Sequence, residues 1–426
     1  MNLKRYRRDI LVMTKANGRK PKNIKHHNLR YILSIVKKHG ICTAGEISRE
    51  SNLSMTTIVK TLDSLKQAGI VKSIGKGNST SEGGKRPELF GFNESFRYVL
   101  CVYFAGKYAM CTLNDLSNKG IAARQVYYED ASDVAACMKE VYEQLCLMMG
   151  EHGLAAEDIC GISLGIDGIV DSEKNHVVYP IHNQHWKTGG YIVECFRTYF
   201  PGIENIQIEN SGRLGSWNYL NTYPELEAER VVVLNSSESL TAGALLQNNT
   251  VQHGGNCLIG EFAHMMIPNA RGDVECECGR RNCFEKLIAL ERFEGYVLEM
   301  IDSKEEAELY RKLCGHEMEP REMIRLADEG SAAGRKALDL VIEYYLSVIC
   351  NLMITCDPRY YVIGGIYVRN SEYFRRELSR KFEENTFWGI QFKTRILYDM
   401  DDDGWEFKNM ARPVINTFLN TLKFDE

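Results

Sequence analysis

Apolar residues in the first quarter of the chain recur with a helical period. Leu29, Ile32, Ile35 and Val36 line one face of a predicted helix that Gly40 stops. Thr43 is a suitable N-cap for a second helix over 44–50, with Ile47 facing inward. Residues 51–53 make the turn. Ser54 then caps a third helix running to about Ala68, with Ile58, Leu62 and Leu65 on its buried face. Past Gly69, residues 70–74 read as a short strand, 75–84 as a Gly/Ser-rich loop and 89–92 as a return strand. Three short helices and a two-stranded wing predict a winged helix-turn-helix over residues 27–92. Residues 1–26 lack periodicity and read as a basic arm.

From residue 95 to 426 the pattern becomes that of an α/β body. Apolar strands over 97–104 and 107–114 turn through Ala105-Gly106, with a third strand near 122–128. A helix over 132–149 and strands at 159–166 and 206–209 follow. The theme then restarts: strands at 230–235 and 240–246, helices through a cysteine-rich stretch, and two long helices around 319–355. A strand at 360–363 enters Gly364-Gly365, and a terminal helix covers about 407–422. Such a pattern, repeated, predicts two similar lobes with a ligand cleft between them. The longest apolar stretch, Leu340 to Ile354, contains Glu343 and is too short to cross a bilayer, so a buried helix and no membrane partner are expected.

Charge separates the two parts. Residues 1–92 hold 19 Lys and Arg against 6 Asp and Glu, a net of +13, whereas the remainder holds 33 against 51, a net of −18. A basic module on an acidic body points to a polyanion at one end only. The exposed start of the third helix offers Ser54, Thr56, Thr57 and Lys60, short polar groups suited to base edges and phosphates in a major groove. The wing adds Lys76, Lys85 and Arg86, which can grip phosphate or enter a minor groove. Together they predict binding to double-stranded operator DNA; the alternative is a helical module used for protein contact. The N-terminus lacks the apolar stretch and cleavage site of a signal peptide. Most of the fourteen cysteines are scattered at apolar positions such as Cys101, Cys111 and Cys350, a pattern expected of reduced core thiols in the cytoplasm.

One cysteine cluster is tight. Glu261-Phe-Ala-His264 is followed after eleven residues by Cys276-Glu-Cys278, then Cys283-Phe-Glu285. One imidazole and three thiolates, His264, Cys276, Cys278 and Cys283, supply the four-ligand shell that structural Zn(2+) prefers, with no position left for a catalytic water.

From about residue 27 to the C-terminus the chain resembles the ROK family of repressors, open reading frames and sugar kinases, and the His…Cys-x-Cys-Gly-x-x-x-Cys-x-Glu block is the specific part of the match. The resemblance implies a two-lobed hexokinase/actin-like body built on ribonuclease-H-like lobes over 95–426, the metal motif lying at 264–283. It also implies sugar contacts from Gly168, Asn210, Glu261, His264 and Glu285. The family motif carries one sugar-contacting and one metal-binding histidine. Here His264 is the single candidate for both, since neighbouring His182 and His253 do not match the motif. The departures concern catalysis. Where active members place Asp-x-Gly-Gly-Thr, this chain has Tyr103-Phe-Ala105-Gly106-Lys107. Their Gly-Thr-Gly-x-Gly-Ala-Gly phosphate loop is Ser237-Glu-Ser-Leu-Thr-Ala-Gly243, with glycines replaced and a carboxylate added. Their catalytic base, the Asp of Glu-Asn-Asp-x-Asn, is Ser211, whose hydroxyl cannot accept a proton as a carboxylate does. The Pro-Gly of the sugar loop is Asp167-Gly168.

The reading that follows is a sugar-responsive repressor acting as a homodimer, with no catalytic residues. Two rivals stand beside it: a regulator or scaffold that has lost its small ligand, and an ATP-dependent sugar kinase.

Overall fold

The computed structural model describes residues 21–77, 86–182, 185–186, 189–386, 389–401 and 410–422. The first helix spans Pro21–His39, beginning earlier than the apolar period indicates. The second helix, Ala44–Ser51, opens on a capping box: Thr43 Oγ1 accepts from Glu46 N, and Glu46 reaches back to Thr43 N. The third, Met55–Gln67, is capped by Ser54. Strands β1 (Ile41–Thr43), β2 (Val71–Lys76) and β3 (Glu88–Phe92) form one sheet in the order β1-β3-β2. The wing is therefore three-stranded, because the segment after Gly40 pairs with Leu89–Gly91.

The body contains the same five-stranded sheet twice. Its first copy uses β4 (Tyr98–Phe104), β5 (Tyr108–Asp115), β6 (Gly120–Tyr127), β7 (Ile159–Ile166) and, after the hairpin β8 (Gly168–Asp171) and β9 (His176–Pro180), β10 (Ile206–Asn210). The order is β10-β7-β4-β5-β6, with β4, β7 and β10 parallel and β5 and β6 antiparallel. In the second copy, β11 (Arg230–Ser236), β12 (Thr241–Gln247), β13 (Thr250–Val251), β14 (Tyr360–Gly365) and β15 (Arg395–Tyr398) repeat that pattern as β15-β14-β11-β12-β13. The restart legible in the sequence is a duplicated topology, and the chain has the predicted two-lobed actin-like architecture.

The expected pair of long helices is one short helix, Pro320–Arg325, and one long helix, Ala332–Cys356. The latter is long and apolar enough to cross a membrane, yet Val341, Ile342, Tyr345, Val348 and Ile349 are fully buried in the second lobe's core. The terminal helix, Arg412–Thr421, returns to the first lobe, where Asn205 Nδ2 donates to Val414 O at 3.0 Å. It also meets the linker to the N-terminal module, Phe418 lying 6.4 Å from Phe96. One apolar core runs without a break from Leu29 and Ile58 to Val99 and Val414. Lys37 of the first helix is caught at this junction, where burial and then the Arg412 charge push its pKa down to about 8.

The lobes meet beneath the strand ends through one buried charge. Arg213 is 1% exposed; its guanidinium donates to Glu209 Oε1 (3.1 Å) and Val170 O (3.2 Å) in the first lobe. Across the junction it donates to Ile259 O (3.3 Å) and Cys257 O in the second. His253 Nε2 lies 2.6 Å from the other Glu209 oxygen. Burial alone would raise the Glu209 pKa, but the His253 hydrogen bond and the Arg213 charge hold it below the ordinary carboxylate value. Removing one partner of such a pair strands the other in a dry site. Arg213→Met is therefore expected to destabilise the protein by about 3–5 kcal/mol in denaturant unfolding followed by fluorescence. A loss within experimental error of zero would contradict this account of the junction.

Candidate functional site

The carboxyl ends of β4, β7 and β10 lie side by side, the place where open α/β sheets hold ligands. Three side chains form a row there. Asp167 follows β7 in the middle, Tyr103 stands near the end of β4, and Ser211 follows β10. Tyr103 Oη donates to Asp167 Oδ2 at 2.7 Å, and Ser211 Oγ donates to Asp167 Oδ1. His182 brings Nε2 to 3.3 Å from Asp167 Oδ2, and that hydrogen bond raises its pKa. The two positions where the resemblance expects carboxylates carry hydroxyls, both turned toward a carboxylate on the strand between them. Asp167 drew attention in the sequence only as a departure, and His182 as a histidine outside the motif. Neither had a signal placing it in this row, because 64 residues separate Tyr103 from Asp167.

The segment expected to face nucleotide phosphates is a closed turn. Ser237 N donates to Leu240 O (2.8 Å), and Leu240 N donates to Ser237 Oγ (3.1 Å). Two of the backbone N–H groups that could meet an anion are thus taken within the turn itself. Glu238 Oε1 is 3.1 Å from Arg321 Nε, and Glu238 O accepts from Leu290 N (2.9 Å).

The residues named for sugar contact fall on both lobes. Gly168 starts β8, and a Cβ there would stand 2.2 Å from Tyr179 O, so the hairpin requires glycine. Asn210 caps the helix Ser211–Ser216 by accepting from Arg213 N (3.0 Å) and donates to Gly168 O (2.7 Å). That helix reaches the second lobe, a Cβ on Gly212 falling 2.9 Å from Ala242 Cβ. On the second lobe, Glu285 is buried and accepts from Thr241 N (2.8 Å). Glu261 is largely desolvated: burial pushes its pKa up to about 6, the Arg213 charge pulls it down and Glu285 adds to the rise. Glu285 acts on His182 in the same sense. Glu261, Glu285, His182 and Asp167 thus share one electrostatic neighbourhood.

The cysteine motif closes on itself in space. One ligand atom each from His264, Cys276, Cys278 and Cys283 lies within 4.8 Å of all the others, an arrangement that can hold a metal ion. His264 Nδ1 is 3.5 Å from Cys276 Sγ, and Cys278 Sγ is 3.5 Å from Cys283 Sγ. Burial holds the His264 pKa below its ordinary value, favouring the neutral ring that ligates metals. Because Nδ1 faces the thiols, any second contact by His264 falls to Nε2. Cys283 immediately precedes the helix Phe284–Ile288 that carries Glu285, so the cluster fixes that carboxylate's place.

On the N-terminal module, Ser54, Thr56 and Lys60 are exposed, as is Arg86; Lys85 lies outside the described residues. Thr57 is half-buried; its backbone N–H donates to the capping Ser54 Oγ (3.2 Å), and its hydroxyl lies 2.9 Å from the Ser54 hydroxyl. Met55 and Val59, 49% and 43% exposed, share the open helix surface, although their apolar character gave no reason to single them out in the sequence.

A buried carboxylate whose pKa is raised takes up a proton on folding. Between the unfolded value near 4.5 and the folded value near 6, the native state binds more protons than the unfolded state, so stability falls as pH rises through that window. Glu261→Gln is expected to remove this decline and to be more stable than wild type at pH 7.5 by roughly 2 kcal/mol, the gap closing below pH 4.5. Thermal unfolding across pH 4–8 checks it; a variant less stable than wild type at pH 7.5 would contradict it.

The description "ROK family" matches residues 99–394. The xylose repressor of Caldicellulosiruptor bescii is 21% identical over 378 residues, covering 88% of this chain and 91% of its own. The Bacillus subtilis xylose repressor is 22% identical over 354 residues, covering 82% and 83%. Among solved structures, a ROK family transcriptional regulator, a homologue of the E. coli MLC protein, superposes with a TM-score of 0.73 at 15% identity, covering 93% of this chain and 97% of its own. A ROK family glucokinase from Streptomyces griseus, in complex with glucose and AMPPNP, gives 0.56 at 14% identity, covering 74% of this chain and 98% of its own. With a family match over most of the body and the duplicated sheet it implies, this chain belongs to the ROK family.

Proposed function

We propose that this protein is a sugar-responsive DNA-binding repressor whose kinase-like body binds an effector without transferring phosphate. The observation that carries the reading is the combination of a basic winged helix-turn-helix with a body whose nucleotide side is internally hydrogen-bonded. Coverage supports it. The xylose repressor and the regulator structure run through the N-terminal module, whereas the glucokinase spans nearly its whole length on about three quarters of this chain. Ser211, Tyr103 and the closed turn at 237–240 lack the base, the metal-side carboxylate and the open backbone that phosphoryl transfer uses.

On DNA, Thr56 and Lys60 enter the major groove, with Met55 and Val59 available to thymine methyl groups. Ser54 and Thr57 hold the helix start in register, and Lys85 and Arg86 grip the backbone or a minor groove. A homodimer places two such modules on a two-fold operator. A sugar held by Asn210, Glu261 and Glu285, with His264 at the margin, changes the lobes' closure and hence the module spacing; a coupling of about 1–3 kcal/mol suffices. The protein acts in the cytoplasm, where its thiols stay reduced.

The metal is zinc, in a structural role. Its bonds to sulfur, about 2.3 Å, set sulfur–sulfur edges of about 3.8 Å in a tetrahedron, close to the separation of Cys278 and Cys283. His264, Cys276, Cys278 and Cys283 would hold it, and it would supply cross-linking rather than catalysis.

Three outcomes are expected. In salt titrations of operator binding, Thr56→Ala changes sequence preference at a cost of about 1–3 kcal/mol, whereas Arg86→Ala weakens all sequences and flattens the salt dependence. Equal affinity for operator and random DNA in the wild type would overturn the DNA assignment. Elemental analysis of reduced protein gives one zinc per chain, and Cys276→Ser loses it together with thermal stability; metal-free protein of undiminished stability would remove zinc from the account. With ATP and magnesium in excess, no sugar is phosphorylated, and Ser211→Asp alone restores nothing. Turnover above background would return the kinase rival.

A further inference from the structure

The row at the strand ends has a consequence for which sugar the cleft accepts. Asp167 receives the Tyr103 and Ser211 hydroxyls and faces His182 Nε2, so three side chains from separate elements immobilise one carboxylate beside the proposed sugar position. The Asp167 side chain is 15% exposed and His182 34%, so this pair is not sealed from solvent. Two more carboxylates, Glu261 and Glu285, stand on the opposing lobe.

Among the described residues, four cations of this neighbourhood are committed. Arg213 is fully buried and spends its guanidinium on Glu209 and on the carbonyls of Val170, Cys257 and Ile259. Lys286 pairs with Glu277 at 2.8 Å, and Arg321 pairs with Glu238. His182 is engaged by Asp167 itself. At the turn 237–240, Ser237 N and Leu240 N are taken by Leu240 O and Ser237 Oγ. Three carboxylates thus gather in this neighbourhood, and a phosphate would bring more acceptors and more negative charge.

We infer that Asp167 is a specificity-determining residue, and that the effector is an uncharged sugar whose hydroxyls donate to carboxylates, its phosphate ester being rejected. This rests on the sugar-responsive reading and narrows it to one chemical form. Like charges brought together in a partly dry site are disfavoured strongly enough to set a preference on the order of 100-fold.

The test is isothermal titration calorimetry on the full chain. The probes are D-xylose, D-glucose, N-acetyl-D-glucosamine and N-acetyl-D-mannosamine, the last three each beside its 6-phosphate. The expected result is binding of at least one neutral sugar, with its phosphate weaker by on the order of 100-fold. Asp167→Asn, nearly isosteric, should narrow that gap by at least about tenfold, whereas Glu173→Gln on the exposed surface should leave it unchanged. A phosphate ester binding as tightly as its parent sugar overturns the inference while leaving the sugar-responsive reading intact. So does an unchanged gap in Asp167→Asn. Binding of none of the seven probes overturns both.

Discussion

Arg213 carries its charge where almost no solvent reaches, and the way that charge is satisfied organises the molecule. Its carboxylate partner, Glu209, ends a strand of the first lobe, while two of its carbonyl partners belong to the loop of the second. A guanidinium has five N–H donors in a rigid plane, so meeting them fixes the two lobes against each other at one point. The same turn of helix begins with Ser211 and is capped by Asn210. Local geometry at the cleft floor and the relative placement of the lobes are therefore tied to one desolvated ion pair, alongside the apolar core the lobes share. Such pairs stabilise little over an apolar core, but they specify geometry when every donor is met.

Around that point lies the two-lobed architecture of the ROK family. The duplicated sheet still delivers three parallel strand ends to one edge, and side chains still meet there. What has changed is the order: hydroxyls from Tyr103 and Ser211 flank a central carboxylate, Asp167. A carboxylate holding two hydroxyls and an imidazole is fixed in one position. The turn at 237–240 shows the same trend, with backbone donors that could cradle phosphate now pairing with Leu240 O and Ser237 Oγ. The second lobe gains rigidity in return, since Glu285 ties the helix after the cysteine cluster to the start of β12.

How much of this was legible in the sequence followed from distance along the chain. Caps, turns and periods act within a few residues, so Thr43, Ser54 and the three N-terminal helices were readable. The metal cluster was readable because three of its ligands lie within eight residues. The three-stranded wing was not, because β1 is a strand only by pairing with residues almost fifty positions away. The positions of Asp167, His182 and His253 were not legible for a related reason. Each acquires its role from a partner more than fourteen residues distant, and only the fold brings them together.

The N-terminal module and the body share one uninterrupted core, so a change in lobe closure has a physical route to the helices proposed to read DNA. Arg412 sits on that route, donating to Trp217 O in the first lobe and to Asn249 in the hairpin of the second. Coupling between two binding sites is reciprocal in free energy. The most direct test is therefore the affinity of the full chain for its effector sugar, measured free and then saturated with operator DNA. The account predicts weaker sugar binding on DNA by about 5–150-fold, the same factor by which sugar weakens operator binding. Equal sugar affinity with and without operator would contradict it, because the two sites would then be independent.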